Sequence, residues 1–450
     1  MVLRRIPGTD QSYHLLEFDK HGIERPDDSG RLGSEAALEA LAEPAAAVTD
    51  VFVISHGWQN DYRGAIDQYD AWLRAANVDR PDDPLRPFII GVHWPSKAWN
   101  DRPLKTGSGG LLGDEAPADA MDVAEAVDEF AATLSDTAAA RAALTTILEY
   151  AASIDPDADA TSIDELPGDV ADAYRRLAAE SGVRSDDDPL LGDEWDPEPA
   201  FADAAAHGGD GDDGLLGEGF WSKLREAVLT PLRQLTFWTM KDRARVFGET
   251  GGSALLREIQ RAAPRARVHV MGHSFGTIVV SAAVRGPGER PKPPLRPVES
   301  MFLVQGAVSL WAFSPEVPES VGGGRGYFAD LLRPEFVAGP IIATRSKWDY
   351  AVGKYYPLAV RMARQYLLGE TPKYGGIGTF GIQGAGAREL PSATSAVGDA
   401  GFREGKVFNL DASEVITRLE GPAGAHSDIA HRQLGRVAWA AALSRAQGDG

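Results

Sequence analysis

The sequence predicts an α/β protein, a doubly wound and mostly parallel sheet with a large, mainly helical insertion. Short apolar runs such as 50–55 and 87–93 have the composition of strands buried on both faces. Helical patterns alternate with these runs, as in a parallel sheet with helical crossovers. The stretch 96–236 breaks this alternation because it contains helical patterns and no strand pattern.

Composition excludes several classes of protein. A net charge of −21 repels polyanions, so no nucleic-acid partner is expected. The absence of cysteine excludes disulfides and thiolate metal sites and fits a cytoplasmic location. No apolar segment follows the N-terminal arginines, and no run approaches about 18 apolar residues, so neither a signal peptide nor integral membrane association is expected.

The 450 residues divide into a core in two parts, 1–95 and 237–450, around the insertion 96–236. The elements predicted in the first part are strands over 13–18, 50–55 and 87–93 and helices over 35–41 (capped by Ser34) and 62–76. Those predicted in the second part are helices over 237–263 and 275–284, strands around 268–270 and over 301–305, 340–344 and 406–410, and a last helix capped by Ser427 or Asp428.

The insertion is a candidate lid or partner-binding module. Its predicted helices cover 121–134, 141–150, 169–181 (ending at Gly182) and 220–235 (kinked at Pro231). Residues 185–219 are acidic and rich in Gly and Pro, which favours a solvated loop. Within them, 208–216 matches one calcium-binding nonapeptide repeat, but a single copy cannot build the stacked site.

The strongest functional motif lies between 267 and 284. A predicted strand leads into residues 272–276, Gly-His-Ser-Phe-Gly, and an apolar helix of small residues follows. Such a strand–turn–helix holds the serine hydroxyl clear of the sheet on strained backbone, and flanking glycines let strand and helix pass closely. Ser274 is therefore the candidate nucleophile.

A serine nucleophile needs a base to take its proton and a carboxylate to orient that base. In a parallel sheet these groups meet at the carboxyl ends of strands. His426, in a loop before the last helix, is the expected base, whereas His431 is expected inside that helix. Asp349, after a predicted strand, is the expected acid, and Asp411 is its rival.

Acyl transfer also needs two backbone N–H groups that face the developing negative charge. The expected donors are Phe275, directly after the serine, and Trp58, in the turn that follows strand 50–55. In the same turn, His56 is expected to hold the shape of the loop, and a role as the base is its weaker alternative. Another Gly-rich match, G-x-G-x-x-G at 376–381, neither follows a strand nor opens a helix, so no dinucleotide is expected there.

Aromatic residues at predicted strand ends form a tentative substrate pocket. Such side chains can line an apolar acyl or leaving-group pocket, or pack between the sheet and a cap, and the sequence leaves both readings open. The candidates are His56, Trp94, Trp311 and Trp348.

The order Ser, Asp, His, the Gly-His-Ser-Phe-Gly elbow and the His-Gly-Trp turn resemble the α/β-hydrolase family of serine esterases and lipases. The resemblance covers roughly 10–95 and 237–447 in separate motifs, and 96–236 has no counterpart in it. The turn lacks the extra glycines of the H-G-G-G-type esterases. The nucleophile, acid, base and two oxyanion donors that the resemblance implies are Ser274, Asp349, His426, Phe275 and Trp58.

These observations predict a serine hydrolase that cleaves a carboxylic ester through an acyl-enzyme on Ser274, without a metal or organic cofactor. The expected partner is a small-molecule or lipid ester, whose acyl and alcohol parts the sequence leaves open along with the oligomeric state. An acyltransferase, thioesterase or peptidase could use the same residues. A non-catalytic binding scaffold is the alternative from another class, since a fold does not fix a function.

Overall fold

The computed structural model describes residues 2–27, 29–43, 47–81, 85–97, 104, 120–154, 165–182, 195–207, 218–351, 375–394, 402, 406–420 and 423–444. The chain forms two compact units, Met1–Ser96 with Arg243–Gly450 and Lys97–Asp242. The bounds of the second unit lie close to those of the predicted insertion. The calcium-repeat match at 208–216 lies outside the described residues.

The first unit contains a mostly parallel sheet. Its strands are β1 (Val2–Arg5), β2 (Ser12–Glu17), β3 (Asp50–Ser55), β4 (Pro87–His93), β5 (Arg267–His273), β6 (Ser300–Val304), β7 (Ile341–Arg345), β8 (Arg388–Leu390) and β9 (Val407–Asp411). The described strands form one nine-stranded sheet in the order β1-β2-β4-β3-β5-β6-β7-β9-β8. Among the pairs of described strands, β1–β2 alone is antiparallel. The prediction of a mostly parallel α/β sheet is confirmed.

The described helices alternate with the strands of the first unit and make up the second. They are α1 (Gly33–Ala42), α2 (Tyr62–Asn77), α3 (Val123–Thr133), α4 (Ala138–Ser153), α5 (Gly168–Ser181), α6 (Glu198–His207), α7 (Glu218–Phe247), α8 (Ser253–Ala262), α9 (Gly276–Arg285), α10 (Ile377–Phe380) and α11 (Arg432–Leu443). A π-helix, Gly248–Gly252, joins α7 to α8. Among the described residues, no helix is long and apolar enough to cross a membrane.

Helices cover both faces of the sheet. Alternate residues of a strand point to opposite faces. Phe52 and Met271 lie in one core cluster with side chains of α2 and α11, whereas Val53 and Val270 line a small apolar cavity with side chains of α8 and α9. The strands are therefore buried on both sides, which explains their continuous apolar composition.

The second unit has a hydrophobic core of its own. Side chains from α3, α4, α5, α6 and α7 form one buried cluster. Tyr174 of α5 is fully buried and donates its hydroxyl hydrogen to the carbonyl of Val228 in α7. Helix α5 ends at Ser181 and is capped by Gly182 with φ 64°, as the sequence predicts.

The net negative charge of the chain comes from the second unit. Acidic and basic side chains balance in the first unit, so the net charge of −21 lies within Lys97–Asp242. The argument against a nucleic-acid partner therefore applies to the second unit, because salt screens the repulsion from its charges beyond a Debye length of roughly 10 Å.

Two predicted helix caps are wrong. The residue before α1 is Leu32, and Ser34 donates its backbone N–H to Glu24 Oε1 at 2.7 Å instead of capping the helix. Helix α11 begins only at Arg432, so His431 precedes it rather than lying inside it, and no side chain caps it. The carboxylate of Asp428 instead accepts backbone hydrogen bonds from Thr417 and Arg418.

Several short described elements have no clear signal in the sequence, among them β8, β1 and α6. Strand β8 lies in a Gly-rich stretch expected to be irregular, where its pairing with β9 supplies the order. Strand β1 gains its order in the same way from β2. Helix α6 lies within the stretch 185–219, which was expected to be a loop, and its Phe201 is fully buried in the second core. In each case tertiary contacts override a weak local pattern.

The contact of α11 with α2 gives a test of the packing. A methyl group at Gly435 would lie 2.5 Å from Ala76 Cα, so the helices approach at that glycine. Alanine normally stabilises a helix relative to glycine by up to about 1 kcal/mol. We expect Gly435→Ala to destabilise the first unit instead, measured by hydrogen exchange of the β3 amides. Gln433→Ala on the same helix is the control, and protection equal to or above that of the parent in Gly435→Ala would contradict the packing.

Candidate active site

Ser274 directly follows β5 in a left-handed backbone conformation, with φ 55°. A non-glycine residue in this region costs on the order of 1–3 kcal/mol, so the surroundings must hold it there. Its N–H donates to Val304 O at 3.1 Å, and its carbonyl accepts from the N–H and the hydroxyl of Thr277 at 3.1 and 2.6 Å. The serine is thus fixed at a sharp turn between β5 and α9.

Glycines make this turn possible. A Cβ at Gly272 would lie 2.3 Å from Gly276 O, and a Cβ at Gly276 would lie 2.4 Å from Ser55 O. Both distances are below any real contact, so α9 can pack over β5 and against the end of β3 only with glycine at these positions. The close passage expected from the motif is confirmed.

The structure brings Ser274, His426 and Asp349 into one hydrogen-bonded chain. His426 Nε2 lies 2.8 Å from Ser274 Oγ, and His426 Nδ1 lies 2.9 Å from Asp349 Oδ2. Asp349 is 1% exposed, whereas Ser274 and His426 keep 6% and 7%. The carboxylate is therefore sealed from water, while the serine and imidazole retain a small accessible surface.

Main-chain pairing joins the segment of the acid to that of the histidine. Asp349 and Gly424 form an isolated antiparallel bridge, and Ala425 N donates to Trp348 O at 2.8 Å. Gly424 has φ 64°, and a Cβ there would lie 2.3 Å from Trp348 O. The loop before His426 is thereby fixed on the acid's own loop.

Gln305, which no sequence motif indicates, orients the carboxylate of Asp349. Its Nε2 donates to Asp349 Oδ2 at 2.9 Å and to Gly378 O at 3.1 Å. Its Oε1 accepts from the Thr344 hydroxyl at 2.8 Å. Gln305 directly follows β6 and is fully buried. Its backbone is strained, with φ 45°, and its side-chain amide is held by the hydrogen bonds above. A lone glutamine after a strand carries no motif, which is why sequence reasoning could not find it.

The Gly-rich match at 376–381 packs against the candidate acid Asp349. It contains only the short helix α10. Gly378 O accepts from Ser346 N at 2.8 Å, and the Thr379 hydroxyl donates to Asp349 O at 3.1 Å. A Cβ at Gly378 would lie 2.7 Å from Asp349 Oδ2. These glycines thus permit close packing on the acid.

The rival acid is engaged elsewhere. Asp411 Oδ2 lies 3.2 Å from Arg345 Nη2, and its Oδ1 accepts from Ser413 N at 2.9 Å. Asp349, not Asp411, is the carboxylate that contacts His426.

The turn after β3 lies directly against the serine. A Cβ at Gly57 would be 2.7 Å from Ser274 Cβ, so only glycine fits at position 57. Trp58 follows in the chain, and its ring lies 5.6 Å from the ring of Phe275. The two expected oxyanion donors therefore belong to neighbouring segments beside Ser274.

His56 and Trp94 brace that turn and have no exposed surface to offer a ligand. His56 Nδ1 donates to Gly57 O at 2.8 Å, and its Nε2 accepts from Trp94 N at 3.3 Å. The Trp94 indole donates to His56 O at 3.2 Å. Burial, with His93 nearby, lowers the pKa of His56 to about 3. With both ring nitrogens engaged, His56 holds the loop, as its preferred reading predicts.

The other two tryptophans lie in different surroundings. Trp311 packs in a small cluster with Leu310, Val321 and Phe380. Trp348 is half-buried, and its indole donates to Ser413 O at 3.1 Å. The backbone of Trp348 is next to Asp349, so of these two it is the one that adjoins the catalytic candidates.

A second Asp–His–Ser chain lies at the amino ends of the strands. His269 Nε2 lies 3.0 Å from Asp50 Oδ1, and its Nδ1 lies 2.8 Å from Ser300 Oγ. Arg267 also forks onto Asp50 at 2.8 and 3.0 Å. All three chain members are buried, and Ser300 begins a strand rather than a strained turn. This trio is a buried structural network that ties β3, β5 and β6 together.

Comparison with known protein families, with curated proteins and with solved structures gives no match for this chain. Among the described residues, no group of three or more His, Asp or Glu side chains is placed to hold a metal ion.

Buried neutral histidines predict the pH dependence of stability. Burial, with His426 nearby, also lowers the pKa of His273 to about 3, against an ordinary value of 6.5. Between these values the unfolded chain binds a proton that the folded chain does not, so stability falls as the pH falls from about 6.5 towards 3. Each such histidine contributes up to about 1.4 kcal/mol per pH unit.

We therefore expect His273→Asn to show a shallower loss of stability between pH 6 and 4 than the parent, by up to about 1.4 kcal/mol per pH unit. Hydrogen exchange of the β5 amides at several pH values measures it. Parallel curves for the parent and the variant would contradict the assignment of a neutral, buried His273.

Proposed function

We propose that this chain is a serine hydrolase of the α/β-hydrolase type that cleaves a carboxylic ester through an acyl-enzyme on Ser274. The observation that carries the proposal is the hydrogen-bonded chain from Ser274 Oγ through His426 to Asp349. It lies at the carboxyl ends of parallel strands, where ligands bind in open α/β sheets. The strained serine backbone adds support, because strain clusters at sites of chemistry.

The geometry supports the following reaction. Ser274 Oγ attacks the acyl carbon while His426 Nε2 takes its proton. Asp349 accepts the hydrogen bond of Nδ1–H, which fixes the tautomer and stabilises the imidazolium. The backbone N–H groups of Trp58 and Phe275 stabilise the oxyanion. His426 then gives the proton to the departing alkoxide, which leaves as the alcohol. Water, deprotonated by the same imidazole, attacks the acyl carbon. The bond to Ser274 Oγ breaks, His426 returns the proton to Ser274 Oγ, and the carboxylic acid is released.

Other chemistry with these residues differs in the acceptor or leaving group. An acyltransferase would replace water by another nucleophile, and a thioesterase or peptidase would release a thiol or an amine. An ester is the substrate that such a site cleaves with the least further assistance to the leaving group. Competing nucleophiles in a product assay separate hydrolysis from transfer.

The decisive experiment is labelling with a fluorophosphonate probe, read by intact mass and peptide mapping. We expect one adduct, on Ser274, and none in Ser274→Ala. His426→Ala should slow labelling on the order of 10⁴-fold, because the serine loses its base. Ser300→Ala, in the buried second chain, is the matched control and should label like the parent. A folded parent that gains no adduct would favour a binding scaffold instead.

Gln305 gives a second test. Gln305→Leu removes the donor to Asp349 Oδ2 and Gly378 O, and leaves buried acceptors without that bond. A loss of roughly 1–3 kcal/mol corresponds to labelling about 5- to 150-fold slower. The control is Gln383→Leu, whose amide donates to Phe380 O in the same Gly-rich segment without touching the acid. Equal labelling rates for Gln305→Leu and Gln383→Leu would contradict a role of Gln305 in orienting Asp349.

A further inference from the structure

A line of side-chain hydrogen bonds runs from the turn after β3 to the main chain of the base. Asn60 Nδ2 lies 2.7 Å from Gln68 Oε1, and Gln68 Nε2 lies 2.7 Å from His273 Nδ1. His273 Nε2 lies 3.0 Å from the carbonyl oxygen of His426. Residues from the turn, from α2, from the end of β5 and from the loop of the base are joined in one series.

The direction of each hydrogen bond follows from the carbonyl oxygen of His426, at the end of the series. A carbonyl oxygen can only accept, so His273 Nε2 carries a hydrogen and donates it to His426 O. In a neutral ring Nδ1 must then accept, and Gln68 Nε2 is its donor. Gln68 Oε1 in turn accepts from Asn60. One tautomer of His273 satisfies every member of the series.

Neutrality of His273 is what sets this direction. It is 4% exposed, and its ring lies 5.0 Å from the ring of His426. Burial and the neighbouring His426 both oppose a charge on it, and His56, the other histidine that acts on it, is itself buried and neutral. When His426 takes the serine proton, it therefore has no cation in contact with it on this side.

Both ends of the series are anchored. Asn60 N donates to Ser96 Oγ at 3.1 Å, and that hydroxyl donates to Asn60 O at 2.9 Å. A Cβ at Gly57 would lie 3.0 Å from His273 Nδ1 and would crowd the contact with Gln68. Because His426 O is held, the backbone of the base is held at the same time as its ring.

We propose that His273, Gln68 and Asn60 are positioning residues that fix the main chain of His426 and couple it to the oxyanion turn. This rests on the proposed function, because it assigns His426 the role of base. None of the three contacts the reacting atoms. They act by keeping His426 Nε2 aimed at Ser274 Oγ while the imidazole gains and loses its proton.

The test uses the rate at which Ser274 reacts with a fluorophosphonate, measured across pH on the full chain. Gln68→Met removes both bonds of the amide, which frees the ring to change tautomer and lose its bond to His426 O. We expect labelling about tenfold slower at every pH. Asp67→Asn, on the neighbouring exposed position of α2, is the control and should retain the parental rate.

Gln68→Glu gives a signature that a purely structural role would not produce. A carboxylate at this position draws the hydrogen of neutral His273 to Nδ1 and breaks the bond to His426 O. At lower pH the ring takes a second proton, whose charge the new carboxylate balances, so that both nitrogens donate and the bond to His426 O returns. The labelling rate relative to the parent should therefore rise as the pH falls, whereas that of Gln68→Met stays constant.

A double-mutant cycle completes the test. Because Gln68 acts through the ring, Gln68→Met should add little to the loss caused by His273→Phe, so the two effects are not additive. Additive losses, or parental rates and pH profiles in both Gln68 variants, would overturn the positioning role. A parent without an adduct on Ser274 would overturn the proposed function itself, so the two failures are distinguishable.

Discussion

Ser274 holds a left-handed backbone conformation, and it persists because main chain packs against it on several sides. Gly272 and Gly276 let α9 fold over β5, and Gly57 lets the turn after β3 reach the serine itself. Each contact is closer than a Cβ would allow. The strain at one residue is therefore sustained by glycines in two segments, and the same closeness places the turn after β3 beside the candidate nucleophile.

The sheet carries two Asp–His–Ser chains, of which one is a buried structural network and the other is the candidate site. At the amino ends, Arg267 forks onto Asp50, and Ser300 is buried in a regular strand with unstrained backbone. At the carboxyl ends, Asp349 is held by neutral donors, and Ser274 stands on a strained turn. The hydrogen-bond distances are similar in the two chains. The chains differ in the groups that hold the aspartate and in the backbone conformation of the serine.

The division of charge changes what composition means for this chain. Its net charge of −21 belongs to the unit Lys97–Asp242, and the unit that bears Ser274 is balanced. Electrostatic arguments from the whole sequence therefore describe the insertion. In the first unit the governing effect is burial, which keeps His56 and His273 neutral, the latter beside the imidazole of His426.

The sequence by itself determined the parallel sheet, the elbow at Ser274 and the choice of His426 and Asp349, because apolar runs and glycine spacing are local signals. Only the tertiary structure decided what supports them. Gln305 reaches Asp349 from another strand end, and Gln68 reaches His273 from α2. Strands β1 and β8 likewise exist through their neighbours. Such contacts depend on which distant segments meet, and no periodicity or motif in the chain encodes a single amide that closes a hydrogen-bond network.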